Sequence, residues 1–378
     1  MIRTTRPLWT AAPSRFAGWP RASALLALAV LSLGLLASFA ALATDAAGFD
    51  GSVYPGAVEA VRHGGDFYPA LASAVRAAGE PAGLAAFAPP TLAVVAAPLP
   101  GWALPDWALS AMLFALAGAT FTVWTPRLQL ATRGAGRWAA PLLLAAGLAT
   151  YVWLSPVSPP ALAADRSVLL RPLLLHAPEA WAGLFVALSL GCWARGGWPE
   201  AAAFGLAAGV VREVAAVYLL VMLLFALRTG SRREALAWGA ASAVLAGVVA
   251  AHWRAVVGEL GPLDGLGAWT FNGPGPFVRA LADASPLSVL PLWLAAPAIA
   301  LAAFGWAAWE SPAGPRVVAT SGALAALHAV APGAEPGWAY LVAAPMLAGL
   351  AFVPDGLRDL GRAAAGQRRR ITVTRVTR

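Results

Sequence analysis

The sequence predicts an all-α integral membrane protein that crosses the bilayer many times. Of its 378 residues, 60% are hydrophobic and only 12% are charged, and the mean hydropathy is +0.69. A chain of this composition has more apolar surface than the core of a water-soluble domain could bury. Several apolar stretches also approach the roughly 20 residues that cross a hydrocarbon core about 30 Å thick. We therefore expect a single transmembrane domain over residues 1–378, with about ten spans and one re-entrant segment.

The first apolar run, residues 23–44, is predicted to be a retained signal-anchor helix. Arginines precede it, and the run is longer than the apolar region of a typical cleaved signal peptide. The further candidate spans are 102–124, 136–154, 178–195, 198–212, 213–229, 234–253, 286–308, 316–332 and 338–354.

The apolar stretch 83–100 decides on which side of the membrane every later segment lies. It carries Pro89, Pro90, Pro98 and Pro100, and we interpret it as re-entrant or interfacial. Both termini are then cytoplasmic, and most arginines fall on the cytoplasmic side, as the positive-inside rule favours. We expect a multi-pass protein of a bacterial cell (inner) membrane.

This topology places three long segments on the outer side, at 45–82, 155–177 and 254–285. The first outer loop, 45–82, has apolar residues at helical spacing between Val53 and Val61, followed by the turn sequence "HGGD", so we expect a short helix along the membrane surface. Residues 359–378 form a basic cytoplasmic tail that can contact anionic membrane lipids.

The sequence lacks the common motifs of soluble catalysis. It contains no Lys, and hence no Walker phosphate loop, and it has neither HExxH nor GxSxG. Its one cysteine, Cys192, cannot form an internal disulfide. The net charge of +8 comes from arginines at helix ends and termini, not from one basic face, so no nucleic-acid partner is expected. What remains is a group of ionisable residues on the predicted outer side.

The patterns "D..VY..A" and "GGDFY" in the first outer loop, followed by "PPTLAVVAAPLP", carry a family resemblance. The chain resembles membrane glycosyltransferases of the GT-C class and is most similar to glycosyltransferase family 87, which uses polyprenol-phosphate-mannose. The resemblance covers about residues 23–105. The matching residues are Asp50, Val53, Tyr54, Ala57, Gly64, Gly65, Asp66, Tyr68, Pro89, Pro90, Pro98 and Leu99.

The resemblance implies a transferase that moves a sugar, a mannose-like hexose or a pentose, from a polyprenyl-phosphate carrier to a glycan or glycolipid acceptor. Asp50 is the expected catalytic base and Asp45 its rival, since desolvation near the lipid boundary raises a carboxylate's pKa toward the working range. Either can instead be a solvated loop residue or a helix cap. Tyr54 and Tyr68 are expected at the sugar site or as interfacial anchors, and Asp66 at the site or in a turn.

Charged residues elsewhere complete the predicted site. Arg212 and Glu213 interrupt an apolar stretch, where charges are costly unless they are paired or face a cavity; they form a phosphate clamp or a structural ion pair. Arg166 and Arg171 can hold phosphate or form loop salt bridges. His328, in the predicted span 316–332, is a site candidate or a helix-to-helix hydrogen-bonding residue. A divalent cation bound by Asp50 is compatible with the sequence, although no spacing requires one.

A multi-span transporter or flippase of a lipid-linked or small polar substrate is the alternative function, because broken helices and buried charges serve transporters too. The sequence shows no hydropathy repeat between its halves, and its ionisable residues lie at the predicted outer boundary. These two features favour the transferase. A catalytically inactive scaffold is a third alternative.

Overall fold

The computed structural model describes residues 7–44, 53–77, 87–99, 105–152, 177–194, 196–261, 264, 271–331 and 334–366. Over these residues the chain is helical and forms no strand, apart from one isolated bridge between Thr10 and Thr132. The all-α prediction is therefore confirmed for this part of the chain.

The helices pack into one bundle, and several continue into short 3-10 turns. Their bounds are α1 (Arg21–Ser38), α2 (Val53–Arg62), α3 (Phe67–Ala77), α4 (Thr91–Ala96), α5 (Pro105–Ala131), α6 (Gly136–Val152), α7 (Pro178–Ala194), α8 (Trp198–Val211), α9 (Ala216–Arg228), α10 (Arg232–Glu259), α11 (Gly275–Asp283), α12 (Leu292–Ala308), α13 (Ala313–Val330), α14 (Tyr340–Met346) and α15 (Val353–Ala364). The 3-10 turns are Phe39–Ala43, Glu213–Ala215, Pro286–Val289, Pro336–Ala339 and Leu347–Phe352.

Within the described ranges, four helical stretches are long and apolar enough to cross a membrane: Arg21–Ala43, Ala108–Ala131, Arg232–Glu259 and Pro336–Ala364. The first exposes a row of leucines, as expected of a helix that faces lipid, whereas the last is mostly buried inside the bundle. Several other apolar helices, such as α8, have 14 to 18 residues. At about 1.5 Å per residue they fall short of the roughly 30 Å hydrocarbon core. The predicted count of about ten spans is therefore not confirmed.

Residues 87–99 form a short excursion at one end of the bundle. Within them α4 has six residues, about 9 Å of helix, which is too short to cross a bilayer. The Thr91 hydroxyl donates a hydrogen bond to the Val210 carbonyl at the end of α8 (2.6 Å). A helix this short is compatible with the re-entrant or interfacial interpretation of 83–100, of which residues 83–86 and 100 lie outside the described part.

The opposite end of the bundle is closed by the N-terminal residues. The backbone N–H groups of residues 8 to 10 donate to the Asp355 carboxylate at 2.6, 2.7 and 2.8 Å. Ser14 donates to Asp359 through its backbone N–H (2.9 Å) and its hydroxyl (3.0 Å). The Arg15 guanidinium donates to three carbonyls between α12 and α13. The predicted tail 359–378 is helical as far as Ala364, and residues 367–378 lie outside the described part.

Close helix contacts hold the centre of the bundle. A Cβ atom on Gly305 of α12 would overlap the Gly349 carbonyl oxygen, so the two backbones touch. The Trp306 indole N–H donates to the carbonyls of Pro345 and Met346, both at 3.1 Å. Small residues at helix contacts are the usual means by which membrane helices pack tightly, because dispersion contacts replace the hydrophobic drive.

Candidate functional site

The chain reverses direction at Arg212. Helix α8 ends at Val211, Arg212 is extended (φ −145°, ψ 113°), and a 3-10 turn leads into α9. Gly205 of α8 lies against Tyr218 and Leu219 of α9, so the two helices run alongside each other as a hairpin. Such a turn interrupts the helical hydrogen bonds, and here a charged side chain lies at the break.

The Arg212 side chain is only 1% exposed and lies among three glutamates. Its Nε atom is 2.7 Å from Glu179 and its Nη1 atom is 3.3 Å from Glu213. Its Nη2 atom donates a hydrogen bond to Glu335 at 2.8 Å. We call these four residues the Arg212 cluster. It joins the start of α7, the α8–α9 turn and the residues before α14.

Two members of the Arg212 cluster were not part of the predicted site. The sequence predicted a pair of Arg212 with its neighbour Glu213, but Glu179 and Glu335 lie far away along the chain, Glu335 by 123 positions. The only signal for them in the sequence is an acidic residue within an apolar neighbourhood. Such a residue needs a partner, but the sequence does not say which one.

The charges of the cluster bear on the two predicted roles of Arg212, a phosphate clamp and a structural ion pair. Among the described residues, one guanidinium faces three carboxylates, so a phosphate that approached it would also meet negative charge. Glu179 is 3% exposed, and a carboxylate this deeply buried requires a cation beside it. The arrangement is the one expected of a structural ion pair, the alternative interpretation of Arg212 and Glu213.

Helices α2 and α3, which lie within the segment 45–82, pack over this end of the bundle. The buried Tyr54 hydroxyl donates to the Pro89 carbonyl (3.3 Å). Burial raises the pKa of Tyr54, and its electrostatic neighbours include Glu179 and Arg212. Tyr54 therefore stays a neutral hydroxyl beside the Arg212 cluster.

Tyr68 and Asp66 have different surroundings. The Tyr68 hydroxyl is 3.0 Å from Nδ1 of His252 on α10, and partial burial raises its pKa. Asp66 is exposed in the turn between α2 and α3, where Gly64 has a positive φ of 81° that favours glycine. The position of Asp66 agrees with the turn interpretation.

His328 lies near the end of α13 and is 4% exposed. Its ring packs edge-on against Phe277 and Trp338, with centroid distances of 5.5 and 5.9 Å. The imidazole is thus part of an aromatic group that joins α11 to the turn before α14.

Four predicted site residues lie outside the described part of the chain: Asp45, Asp50, Arg166 and Arg171. Thr44, the described residue directly before Asp45, has a carbonyl that accepts a hydrogen bond from Arg279 Nη1 at 3.1 Å.

Arg279 also contacts Asp283 one helical turn away (3.3 Å), and burial raises the pKa of Asp283 against the opposing effect of Arg279. Helix α11 therefore fixes the point at which the first outer loop begins, a role that the sequence did not indicate.

An apolar cavity of about 410 Å³ lies between α4, α5, α7 and α8. Its walls include Leu92 and Val95 of α4, Met112 of α5, Trp181 of α7 and Val211 of α8. Val211 is the residue before Arg212, and Trp181 is two residues after Glu179, so the cavity wall includes direct sequence neighbours of the charged cluster. This end of the bundle therefore places an apolar space beside a polar one.

Within the described residues, no group of three or more His, Cys, Asp or Glu side chains is arranged to hold a metal ion. Comparison with known protein families, with curated proteins and with solved structures finds no match to this chain. The resemblance to glycosyltransferases therefore depends on the residues of the first outer loop and the proline-rich segment alone.

Proposed function

We propose that this protein transfers a sugar from a polyprenyl-phosphate carrier to a glycan or glycolipid acceptor at the outer face of a bacterial cell membrane. The observation that carries the proposal is the position of the apolar cavity, whose lining residues Val211 and Trp181 are close sequence neighbours of Arg212 and Glu179 in the cluster. A ligand that fits such a place has an apolar tail and a polar head. A lipid-linked sugar is a molecule of this kind.

The chemistry assigned to the site follows from the resemblance. Asp50, or Asp45 in its place, takes the proton of an acceptor hydroxyl. The hydroxyl oxygen attacks the anomeric carbon, the bond from that carbon to the phosphate oxygen breaks, and the polyprenyl phosphate leaves with its electron pair. Arg166 and Arg171 balance the phosphate charge.

In this proposal the Arg212 cluster has a supporting role. Its three glutamates already surround the guanidinium, so the cluster fixes the ends of α7 and α8 and the approach to α14 around the bound headgroup. Tyr54 and Tyr68 form the wall on the side of the first outer loop.

Transport or flipping of a lipid-linked or small polar substrate is the second candidate. Two observations favour it: the interruption of the α8–α9 hairpin at a buried charge and the short helix α4 between proline-rich segments. Discontinuous helices of this kind form substrate sites in transporters.

The test uses membranes that contain the protein and a polyprenyl-phosphate mannose radiolabelled in the sugar. Wild type should transfer label to a glycan or glycolipid, and Asp50→Asn should lower the rate by at least about a hundredfold, the contribution typical of a general base. Glu59→Gln, at a half-exposed carboxylate on α2 of the same loop, is the matched control and should keep its activity.

Each of the other results decides between the candidates. Equal transfer by wild type and by both Asp45→Asn and Asp50→Asn excludes these aspartates as the base. If the carrier moves between leaflets while no sugar leaves it, the protein is a flippase. A reporter fused at residue 130 gives a cytoplasmic signal if the proposed topology is correct, and a periplasmic signal contradicts it.

A further inference from the structure

Residues 87–96, which include α4, need contacts with the rest of the protein to keep their position. A helix of six residues is far below the length at which a helix is stable by itself. Pro89 and Pro90, directly before it, have no N–H groups to donate. At these two positions the backbone can therefore be anchored only through its carbonyl oxygens, which need donors from elsewhere in the protein.

The structure supplies two such donors. The Tyr54 hydroxyl donates to the Pro89 carbonyl at 3.3 Å, and Nε2 of His252 lies 3.0 Å from the Phe87 carbonyl. At the far side, Thr91 donates to the Val210 carbonyl at 2.6 Å. Three side-chain hydrogen bonds from α2, α10 and α4 itself thus fix residues 87–91.

His252 has a defined hydrogen-bonding state in this arrangement. A carbonyl oxygen only accepts, so Nε2 must carry the proton. In the neutral ring Nδ1 is then an acceptor, and it receives the hydroxyl of Tyr68 at 3.0 Å. Tyr68 on α3 therefore orients the imidazole, and the imidazole holds Phe87. His252 is only 5% exposed, so its two hydrogen bonds do not compete with bulk water.

We infer that His252 is a positioning residue that sets the wall of the apolar cavity. His252 holds the Phe87 carbonyl, and Phe87 lies four residues before α4. Leu92 and Val95 of α4 line that cavity. The inference rests on the proposed function in one respect: the cavity is taken to receive the tail of the lipid carrier. Tyr68 then has a role beyond the two that the sequence suggested, since it orients His252.

The test measures the position of α4 without any assay of activity. In a Cys192→Ala background, which removes the chain's one cysteine, a single cysteine is introduced by Ala93→Cys or by Val94→Cys. Ala93 is fully buried and Val94 is 59% exposed, so the two neighbours form a matched pair. The rate of labelling by N-ethylmaleimide in detergent is then compared with and without changes at His252.

His252→Phe keeps a ring but removes both hydrogen bonds, whereas His252→Gln retains an amide donor for Phe87. We expect His252→Phe to raise the labelling rate at position 93 about tenfold, since one buried hydrogen bond changes a local equilibrium by roughly that factor. The rate at position 94 should stay unchanged, and His252→Gln should remain near wild type. Tyr68 is half-buried, so Tyr68→Phe endangers folding less than a change at His252. It should raise the labelling rate at position 93 about threefold.

The inference is overturned if labelling at 93 is the same in wild type and in both His252→Phe and Tyr68→Phe. It is also overturned if His252→Gln and His252→Phe have equal effects, because packing of the ring and not the donor would then matter. Should His252→Phe fail to fold, Tyr68→Phe alone decides. In membranes that show mannose transfer, His252→Phe should raise KM for the carrier several-fold with little change in kcat. If no transfer is found at all, the proposed function fails, but the labelling experiment still tests the position of α4.

Discussion

Removal of the Arg212 side chain should destabilise the protein strongly, because it would leave Glu179 buried without its cation. Glu179 is 3% exposed and lies 2.7 Å from the guanidinium. Breaking a buried ion pair by deleting one partner costs about 3–5 kcal/mol. Glu213 and Glu335 are 18% and 30% exposed, so they can turn toward water and add little to this loss. We therefore expect Arg212→Met, which keeps the volume of the side-chain stem, to lower the free energy of unfolding by about 3–5 kcal/mol.

A second substitution separates lost charge from lost packing. In Arg212→Met combined with Glu179→Gln the buried carboxylate becomes a neutral amide, and about 2 kcal/mol or more of the loss should return. Glu335→Gln alone should cost about 1 kcal/mol or less, as expected of a partly exposed partner.

The free energy of unfolding is measured by denaturant titration of the detergent-solubilised protein, followed by tryptophan fluorescence. A value for Arg212→Met within about 1 kcal/mol of wild type would refute the reasoning. So would a double variant no more stable than the single one, since the stranded carboxylate could not then be the cause.

Three further predictions concern other parts of the bundle. Gly305→Ala should lower the free energy of unfolding by about 1–3 kcal/mol or more by forcing α12 away from its neighbour, whereas Gly322→Ala, with open space at its Cβ, should be neutral or slightly stabilising in the same titration. Asp355→Ala should remove the acceptor of the N-terminal amides and cost about 2–3 kcal/mol, with faster hydrogen exchange at residues 8–10 as the direct readout; unchanged exchange would contradict it. Asp283 is only partly exposed, and this partial burial raises its pKa, so its contribution to stability falls as pH rises through that pKa. Asp283→Asn should therefore raise the Tm at about pH 7 and lose this advantage near pH 4; a pH-independent difference would count against the assignment.

Some features of the fold followed from the sequence because they depend on local composition. The hydrophobic content predicted apolar helices long enough to cross a membrane, and the prolines of 83–100 predicted a segment that does not cross, with which the short helix α4 is compatible. The polar pair at 212–213 in an apolar stretch marked the place where the chain turns. Helix ends were predicted less well: the span 234–253 was placed within a helix that continues to Glu259. Hydropathy predicts the end of a span at the first polar residues, although the backbone hydrogen bonds of the helix continue through them.

The tertiary structure alone decided which residues meet. Nothing in the sequence around Glu335 indicates that it contacts Arg212, and nothing around Tyr68 indicates His252 as its partner 184 positions away. The same is true of Asp355 and the N-terminal amides. From the sequence one can infer only that a buried charge or a backbone carbonyl outside a helix needs a partner. The identity of that partner depends on how the helices pack, and packing is set by side-chain shape over the whole bundle.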